Sequence, residues 1–252
     1  MNEIIFQNQE MKLLAAETGE GPPLVILHGG LSNHLASLSL FSELEKNFRL
    51  IAPDIRGSAR SAWSGELTWE LLSSDLVALL DHLKIEKANI AGISSGTGVS
   101  INFALNFPKR LNKLVLVNPI YGGAAFGLTA SQKTAFLTMD SYGQKVPDNG
   151  IQSLFPLFEK LSPTIRERAV SIIKTFDPLG IASTTRFLAS GEQPFSLESD
   201  IQRISQPTFL VAGNDPLHPT EIAELYQRHF SSIVVSSSDQ ITDEIKIFLN
   251  TE

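Results

Sequence analysis

The chain has 252 residues, 42% of them hydrophobic and 19% charged, which suits one sizeable domain with a full apolar core, or two small ones. Its net charge of -7 excludes a broad nucleic-acid binder, because phosphate contact needs a basic surface. The absence of cysteine excludes disulfides, thiolate metal sites and a cysteine nucleophile.

Met1-Asn2-Glu3 lacks the basic and apolar regions of a signal peptide. No stretch has the apolar length of a membrane span. A cytoplasmic protein without membrane contact is the expectation. Residues 3–6 and 11–16 read as a leading hairpin. Leu24-Val25-Ile26-Leu27 is a continuous apolar run closed by His28-Gly29-Gly30, as in a strand buried on both faces. A helix is predicted over 36–46, then a strand over 49–52 stopped by Pro53. Thr68 is an N-cap for a helix whose Leu72, Leu76, Leu79, Leu80 and Leu83 share one face. Ala88–Ala91 reads as a strand, Gly96–Asn106 as a helix and Leu114–Val117 as a strand.

Strand-helix alternation of this kind predicts a parallel sheet covered on both faces, doubly wound by right-handed crossovers. It stops after Asn118. Helical patterns fill 130–140, 150–161, 163–175 and 179–189, with Gly and Pro between them. A strand returns at Thr208–Val211, then a helix over 220–229, a strand over 233–235 and a last helix over 241–249. The expected division is a core of residues 1–120 and 205–252 with a helical cap over 121–204.

Gly92-Ile93-Ser94-Ser95-Gly96 fits G-x-S-x-G between a predicted strand and a predicted helix. A strand turning straight into a helix strains the turning residue, and small neighbours avoid clashes there. The serine is lifted clear of the sheet beside a helix N-terminus that favours developing negative charge. The alternative is a serine in a Gly-rich turn without chemistry.

From Ala88 to Pro119, with Pro108, Arg110 and Leu114-Val115-Leu116, the chain resembles the elbow-helix-strand unit of the α/β-hydrolase superfamily. His28-Gly29-Gly30 resembles its oxyanion loop, Asp54-Ile55-Arg56-Gly57 its D-x-R-G loop, and Gly213-Asn214-Asp215-Pro216-Leu217-His218-Pro219 its acid loop. The resemblance implies an α/β-hydrolase fold: a doubly wound, mostly parallel sheet with a helical cap inserted between two late strands. It implies Ser94 as nucleophile and Asp215 as acid. It also implies an oxyanion hole from the Gly29-Gly30-Leu31 turn, using the N–H of Gly30 or Leu31, together with that of Ser95. Asp215 also suits an Asx-turn before Pro216.

The departure from the family lies at its C-terminal histidine. Ser236–Gln240, the loop after the last predicted strand, contains none. The five histidines are His28, His34, His82, His218 and His229. His28 reads as a buried structural residue, and His82 and His229 as surface residues near helix ends. His34 and His218 are the candidates for proton transfer, and neither comes from the usual direction. The expectation is therefore an incomplete triad, with no imidazole within about 3.2 Å of the Ser94 hydroxyl.

Without a base a serine is a poor nucleophile. That favours ring closure or opening of an apolar, oxygen-containing small molecule in a biosynthetic pathway, with Asp215, Asp239, His218 or His34 moving protons. An ester, thioester or lactone hydrolase with a replacement base, and a ligand-binding protein without activity, are the alternatives. Ser94 argues against the covalent epoxide-opening route, which uses an elbow aspartate. Arg56 reads as a structural ion pair, and Arg60 as a surface residue within possible reach of a substrate carboxylate. Phe126, Phe136, Phe155, Phe158, Phe176, Phe187 and Phe195 are expected to pack the cap, a few of them facing the site. No cofactor or metal motif is present, no nucleic-acid or membrane partner is expected, and the oligomeric state is not readable.

Overall fold

The computed structural model describes residues 1–159, 161–236 and 241–251. In chain order the first half holds β1 (Asn2–Asn8), β2 (Met11–Thr18), β3 (Pro23–Leu27), α1 (His34–Leu40), β4 (Arg49–Pro53), α2 (Trp69–His82), β5 (Ala88–Ile93), α3 (Gly96–Asn106) and β6 (Leu111–Val117). After β6 come α4 (Ala130–Gly143), α5 (Val146–Asn149), a 3₁₀ segment (Ile151–Phe158), α6 (Pro163–Ile173) and α7 (Pro178–Ser190). The chain then returns to the sheet with β7 (Thr208–Val211), α8 (Thr220–His229), β8 (Ile233–Ser236) and α9 (Ile241–Asn250).

Among the described residues one sheet has the order β1-β2-β4-β3-β5-β6-β7-β8. β1 and β2 pair antiparallel, and so do β2 and β4. All later neighbours are parallel. The leading hairpin is thus the antiparallel edge of the main sheet. The helix expected over 36–46 divides into α1 and a 3₁₀ turn, Ser42–Lys46, because Phe41 leaves helical geometry between them.

Alternation along the strands sorts the core into two layers. Val25, Leu27, Ile51, Ile90, Leu114, Leu116 and Leu210 face one side, packed with Leu72, Leu76 and Leu79 of α2, Phe103 of α3, and Ile222 and Leu225 of α8. Leu24, Ile26, Leu50, Ala91, Val115, Val117 and Phe209 face the other, packed with Leu38 of α1 and Ile245 and Phe248 of α9. Helices therefore cover both faces, as the continuous apolar strand sequences demand. Thr68 caps α2 by accepting the Leu71 N–H at 3.1 Å.

The helices between β6 and β7 have a small core of their own, including Val146, Leu154, Ile173, Phe176 and Ile181. α7 also lies on the loop after β4. Thr184 Oγ1 donates to the Gly57 carbonyl at 3.1 Å, and Ser183 Oγ to the Gly65 carbonyl at 2.6 Å. Phe136 and Phe195 join the main core, Phe176 joins the small one, and Phe155 is exposed. Among the described residues no helix is long and apolar enough to cross a membrane.

Candidate active site

Ser94 sits between β5 and α3 with φ at 52°, a left-handed conformation that costs a non-glycine residue about 1–2 kcal/mol. Its neighbours at both second positions have no room for a side chain. A Cβ on Gly92 would meet Ser100 Oγ at 2.4 Å and the Gly96 carbonyl at 2.6 Å, and one on Gly96 would meet the Leu27 carbonyl at 2.5 Å. The turn is held by Ser94 N–H to the Val117 carbonyl at 2.9 Å and Thr97 N–H to the Ser94 carbonyl at 3.0 Å. Ser94 is half-buried, so its hydroxyl stands clear of the sheet.

The glycine turn after β3 lies directly against it. A Cβ on Gly29 would approach Ser94 Cβ to 3.1 Å, and one on Gly30 would come within 3.6 Å of Ser95 Oγ. Leu31 follows with φ at 52°. Among the described residues no backbone carbonyl accepts the N–H of Gly30, Leu31 or Ser95, which leaves those donors available beside the hydroxyl.

His218 departs from the sequence expectation. Its Nε2 is 2.9 Å from Ser94 Oγ, and its Nδ1 is 2.8 Å from Asp215 Oδ2. An imidazole is therefore in reach after all, and it comes from the acid loop. The cause is local. Asp215 Oδ1 accepts the N–H of Leu217 at 2.8 Å and of His218 at 3.1 Å, and the His218 N–H also reaches the Asp215 carbonyl at 3.0 Å. This Asx-turn folds the chain back so that residue 218 faces the carboxylate of residue 215. The Asx-turn and the acid position, alternatives in the sequence, coexist because each carboxylate oxygen serves one of them. Gly213 makes room, since a Cβ there would meet His218 Cβ at 2.3 Å.

A further residue supports this loop. Gln132, fully buried on α4, donates through Nε2 to the Leu217 carbonyl and the Ile120 carbonyl, each at 2.9 Å. It ties the loop to the chain leaving β6. The only sequence signal was Thr129-x-x-Gln132, a capping-box spacing, which gives no hint of a contact with residue 217.

Partial burial pushes the Asp215 carboxyl up, but hydrogen bonds from the His218 ring and the Leu217 N–H outweigh it and hold the group below the ordinary carboxylate value. Asp215 is thus ionised at neutral pH and can only accept. It follows that His218 Nδ1 carries the proton and Nε2 is the acceptor for the Ser94 hydroxyl.

The other histidines go elsewhere. His34 Nδ1 is 2.7 Å from Asp54 Oδ1, and its backbone N–H donates to the same oxygen at 2.9 Å. Its ring is committed to Asp54, and no hydrogen bond joins it to Ser94 among the described residues. His28 is buried, its Nδ1 donating to the Gly29 carbonyl at 2.7 Å while Nε2 accepts the Ile55 N–H at 3.0 Å. His229 meets Glu198 at 3.2 Å. Asp239 and most of the loop expected to lack a histidine lie outside the described residues.

Burial lowers the proton affinity of His28 below the ordinary 6.5. Burial raises that of Asp54, but hydrogen bonds from His34 reverse this and leave it below 3.8. Below about pH 6.5 the unfolded chain takes up a proton at residue 28 that the folded chain resists, so stability falls with pH. The stabilisation from Asp54 is present above its unfolded value and is lost as pH falls through its lower folded value. Urea midpoints are expected to stay level from pH 8 to about pH 7, to decline from there to pH 5, and to fall more steeply below pH 4. A flat or rising profile towards acid would contradict the burial described for His28.

Arg56 is buried and forms a paired bond with Asp75, Nε to Oδ2 at 2.8 Å and Nη2 to Oδ1 at 2.6 Å. Arg60 is bound to Glu3, with Asp54 Oδ2 at 3.8 Å. Among the described residues no group of three or more His, Asp or Glu side chains is placed to hold a metal.

A cleft of about 430 Å³ lined by His28, Gly29, Ser32, Ile93 and Arg168 opens beside the elbow. On the Ser95 side lies a much smaller chamber of about 30 Å³, walled by Gly29, Gly30, Ser95, Arg56, Trp69, Phe187 and Leu188 among others.

The family model of the alpha/beta hydrolase fold matches residues 22–240, and the chain belongs to that family. The 3-oxoadipate enol-lactonase 2 of Acinetobacter baylyi (strain ATCC 33305 / BD413 / ADP1) is 29% identical over 215 residues, covering 83% of this chain and 78% of that one. An uncharacterized hydrolase of Bacillus subtilis (strain 168), YcgS, is 34% identical over 105 residues, 41% of this chain. The match spans only 36% of that relative. The esterase EaEST from Exiguobacterium antarcticum superimposes with a TM-score of 0.81 at 17% identity, covering 98% of this chain and 99% of that one. At that identity the likeness is one of fold.

Proposed function

We propose that the protein is a serine hydrolase of small esters or lactones. Ser94 is the nucleophile, His218 the general base and Asp215 the orienting acid. The N–H groups of Ser95 and of Gly30 or Leu31 form the oxyanion hole, and helices of 121–204 serve as a cap. The observation that carries this reading is the chain of contacts Asp215 Oδ2–His218 Nδ1 and His218 Nε2–Ser94 Oγ, at 2.8 and 2.9 Å. Ring closure or opening by unusual chemistry was favoured by an absent base, and His218 removes that ground. Lactone opening remains within the hydrolytic reading. The name of the Acinetobacter relative, an enol-lactonase, is in keeping with it.

In this scheme Ser94 Oγ attacks the ester carbonyl while its proton passes to His218 Nε2. Asp215 stabilises the imidazolium through Nδ1–H without taking the proton. The tetrahedral oxyanion is held by amide protons that need no reorganisation. The imidazolium protonates the departing alkoxide, and water activated by the same Nε2 releases the acyl group.

A fluorophosphonate probe tests the assignment. Wild-type protein is expected to be labelled within minutes and Ser94→Ala not at all. An unlabelled wild type, or label persisting in Ser94→Ala, would remove the basis for this function.

A further inference from the structure

Two residues that each carry an unpartnered buried N–H, Arg56 and Trp69, stand at the chamber beside Ser95. Arg56 and Trp69 both contribute to its wall, together with Gly29, Gly30 and Ser95. Arg56 is 1% exposed and Trp69 4%, yet Arg56 Nη1 and Trp69 Nε1 have no hydrogen-bond partner among the described residues. Buried donors are paired in the great majority of cases, and leaving one unpaired costs about 1–3 kcal/mol. A fold that carries two at one place, behind the proposed oxyanion turn, is arranged for an acceptor brought from outside.

The surroundings define that acceptor. Asp75 already neutralises the Arg56 guanidinium through Nε and Nη2, and the Trp63 ring covers its cationic face at 4.7 Å. The remaining N–H is therefore suited to a neutral oxygen, because a second carboxylate would bring a buried charge with no counter-ion of its own. Most of the remaining wall is apolar, with Ile55, Leu67, Leu72, Val99, Phe187 and Leu188, and His28, Ser58 and Thr184 are its other polar residues. Its volume of about 30 Å³ holds only one or two heavy atoms, so the oxygen must lie close to the carbonyl. Leu188 closes the chamber against the glycine turn, with Cδ1 2.8 Å from where a Gly30 Cβ would stand.

We propose that this chamber receives the polar substituent of the acyl group, and that Arg56 and Trp69 recognise there a hydroxyl or keto oxygen carried near the carbonyl of a short acyl chain. The inference rests on the hydrolase reading for its placement relative to the reacting carbon. It adds a substrate class: short hydroxyacyl or oxoacyl esters and lactones in preference to plain alkanoyl ones. A site that hydrogen-bonds a substrate oxygen discriminates against the analogue lacking it far more strongly than an apolar pocket does.

The test compares 4-nitrophenyl 3-hydroxybutanoate, each enantiomer separately, with 4-nitrophenyl 3-methylbutanoate, which carries a methyl in place of the hydroxyl. In wild-type protein kcat/KM for one hydroxy enantiomer is expected to exceed that of the methyl ester by about tenfold or more. In Trp69→Phe, which keeps an aromatic ring and removes the N–H, that ratio is expected to fall to a few-fold or less. Intrinsic reactivity differences between the esters are common to both proteins and cancel in the comparison. Equal kcat/KM for all the esters in wild type overturns the proposal, as does a preference undiminished in Trp69→Phe.

Calorimetric titration of Ser94→Ala with free 3-hydroxybutanoate and 3-methylbutanoate reads the chamber without turnover, and about tenfold tighter binding of the hydroxy acid is expected. If that binding difference is found while no ester is cleaved, the hydrolase reading fails and the recognition by Arg56 and Trp69 stands. Equal binding of the two acids overturns it.

Discussion

His218→Ala is expected to lower kcat by about three to four powers of ten while leaving the protein folded. The magnitude follows from how weakly a serine hydroxyl attacks when nothing takes its proton. The preserved fold follows from the surroundings: His218 lies in a loop, its ring partners are Asp215 and Ser94, and the Asp215 side chain is 51% exposed. Removing the ring therefore leaves no buried charge stranded, and the Asx-turn through the Leu217 and His218 N–H groups survives. Groups acting as a unit are not additive, so Ser94→Ala/His218→Ala should be no slower than either single variant. Steady-state kinetics on a short ester with circular dichroism of each variant would check both points. A loss under tenfold for His218→Ala would mean that the contact with Ser94 is not used in turnover.

Arg56→Ala is expected to destabilise the fold by about 3–5 kcal/mol, the range for removing one partner of a buried pair. The Arg56 side chain is fully buried, Asp75 is 11% exposed, and the paired bond joins the loop after β4 to α2. Without the guanidinium, Asp75 keeps Asn8 Nδ2 at 2.7 Å as a partner, too little for a carboxylate so poorly hydrated. The double variant Arg56→Leu/Asp75→Leu should recover a large part of the loss, because it removes both charges at once. Chemical denaturation of wild type, Arg56→Leu, Asp75→Leu and the double variant measures the coupling. Additive losses would show that packing, rather than the charge pair, holds this junction.

The elbow was legible in the sequence because its two constraints are local. A glycine is needed on each side of a strand-to-helix turn, and the strand and helix are themselves visible as an apolar run and a helical spacing. The parallel sheet covered on both faces followed from the alternation of strands and helices, whereas the order of its strands did not. Ala59 shows the method at its edge: the structure puts it at φ 42°, a conformation that glycine adopts most readily, and an alanine there gives no sign of the demand. The histidine was misplaced because family position was used to locate it. Whether residue 218 points at Ser94 depends on an Asx-turn and on the space at Gly213, and neither leaves a periodic trace. The pairing of His34 with Asp54, 20 residues away, and of Gln132 with Leu217, 85 away, are tertiary contacts for which a single chain carries no local signal.

Placing Asp215 and His218 three residues apart changes what has to come together when the molecule folds. In a site drawn from three distant segments, two separate long-range alignments must succeed. Here acid and imidazole are prearranged by one tight turn, and a single contact spanning 124 positions completes the assembly. The two groups advance or retreat together, so any slight displacement of that turn disengages proton acceptor and counter-charge in one step and leaves the hydroxyl alone.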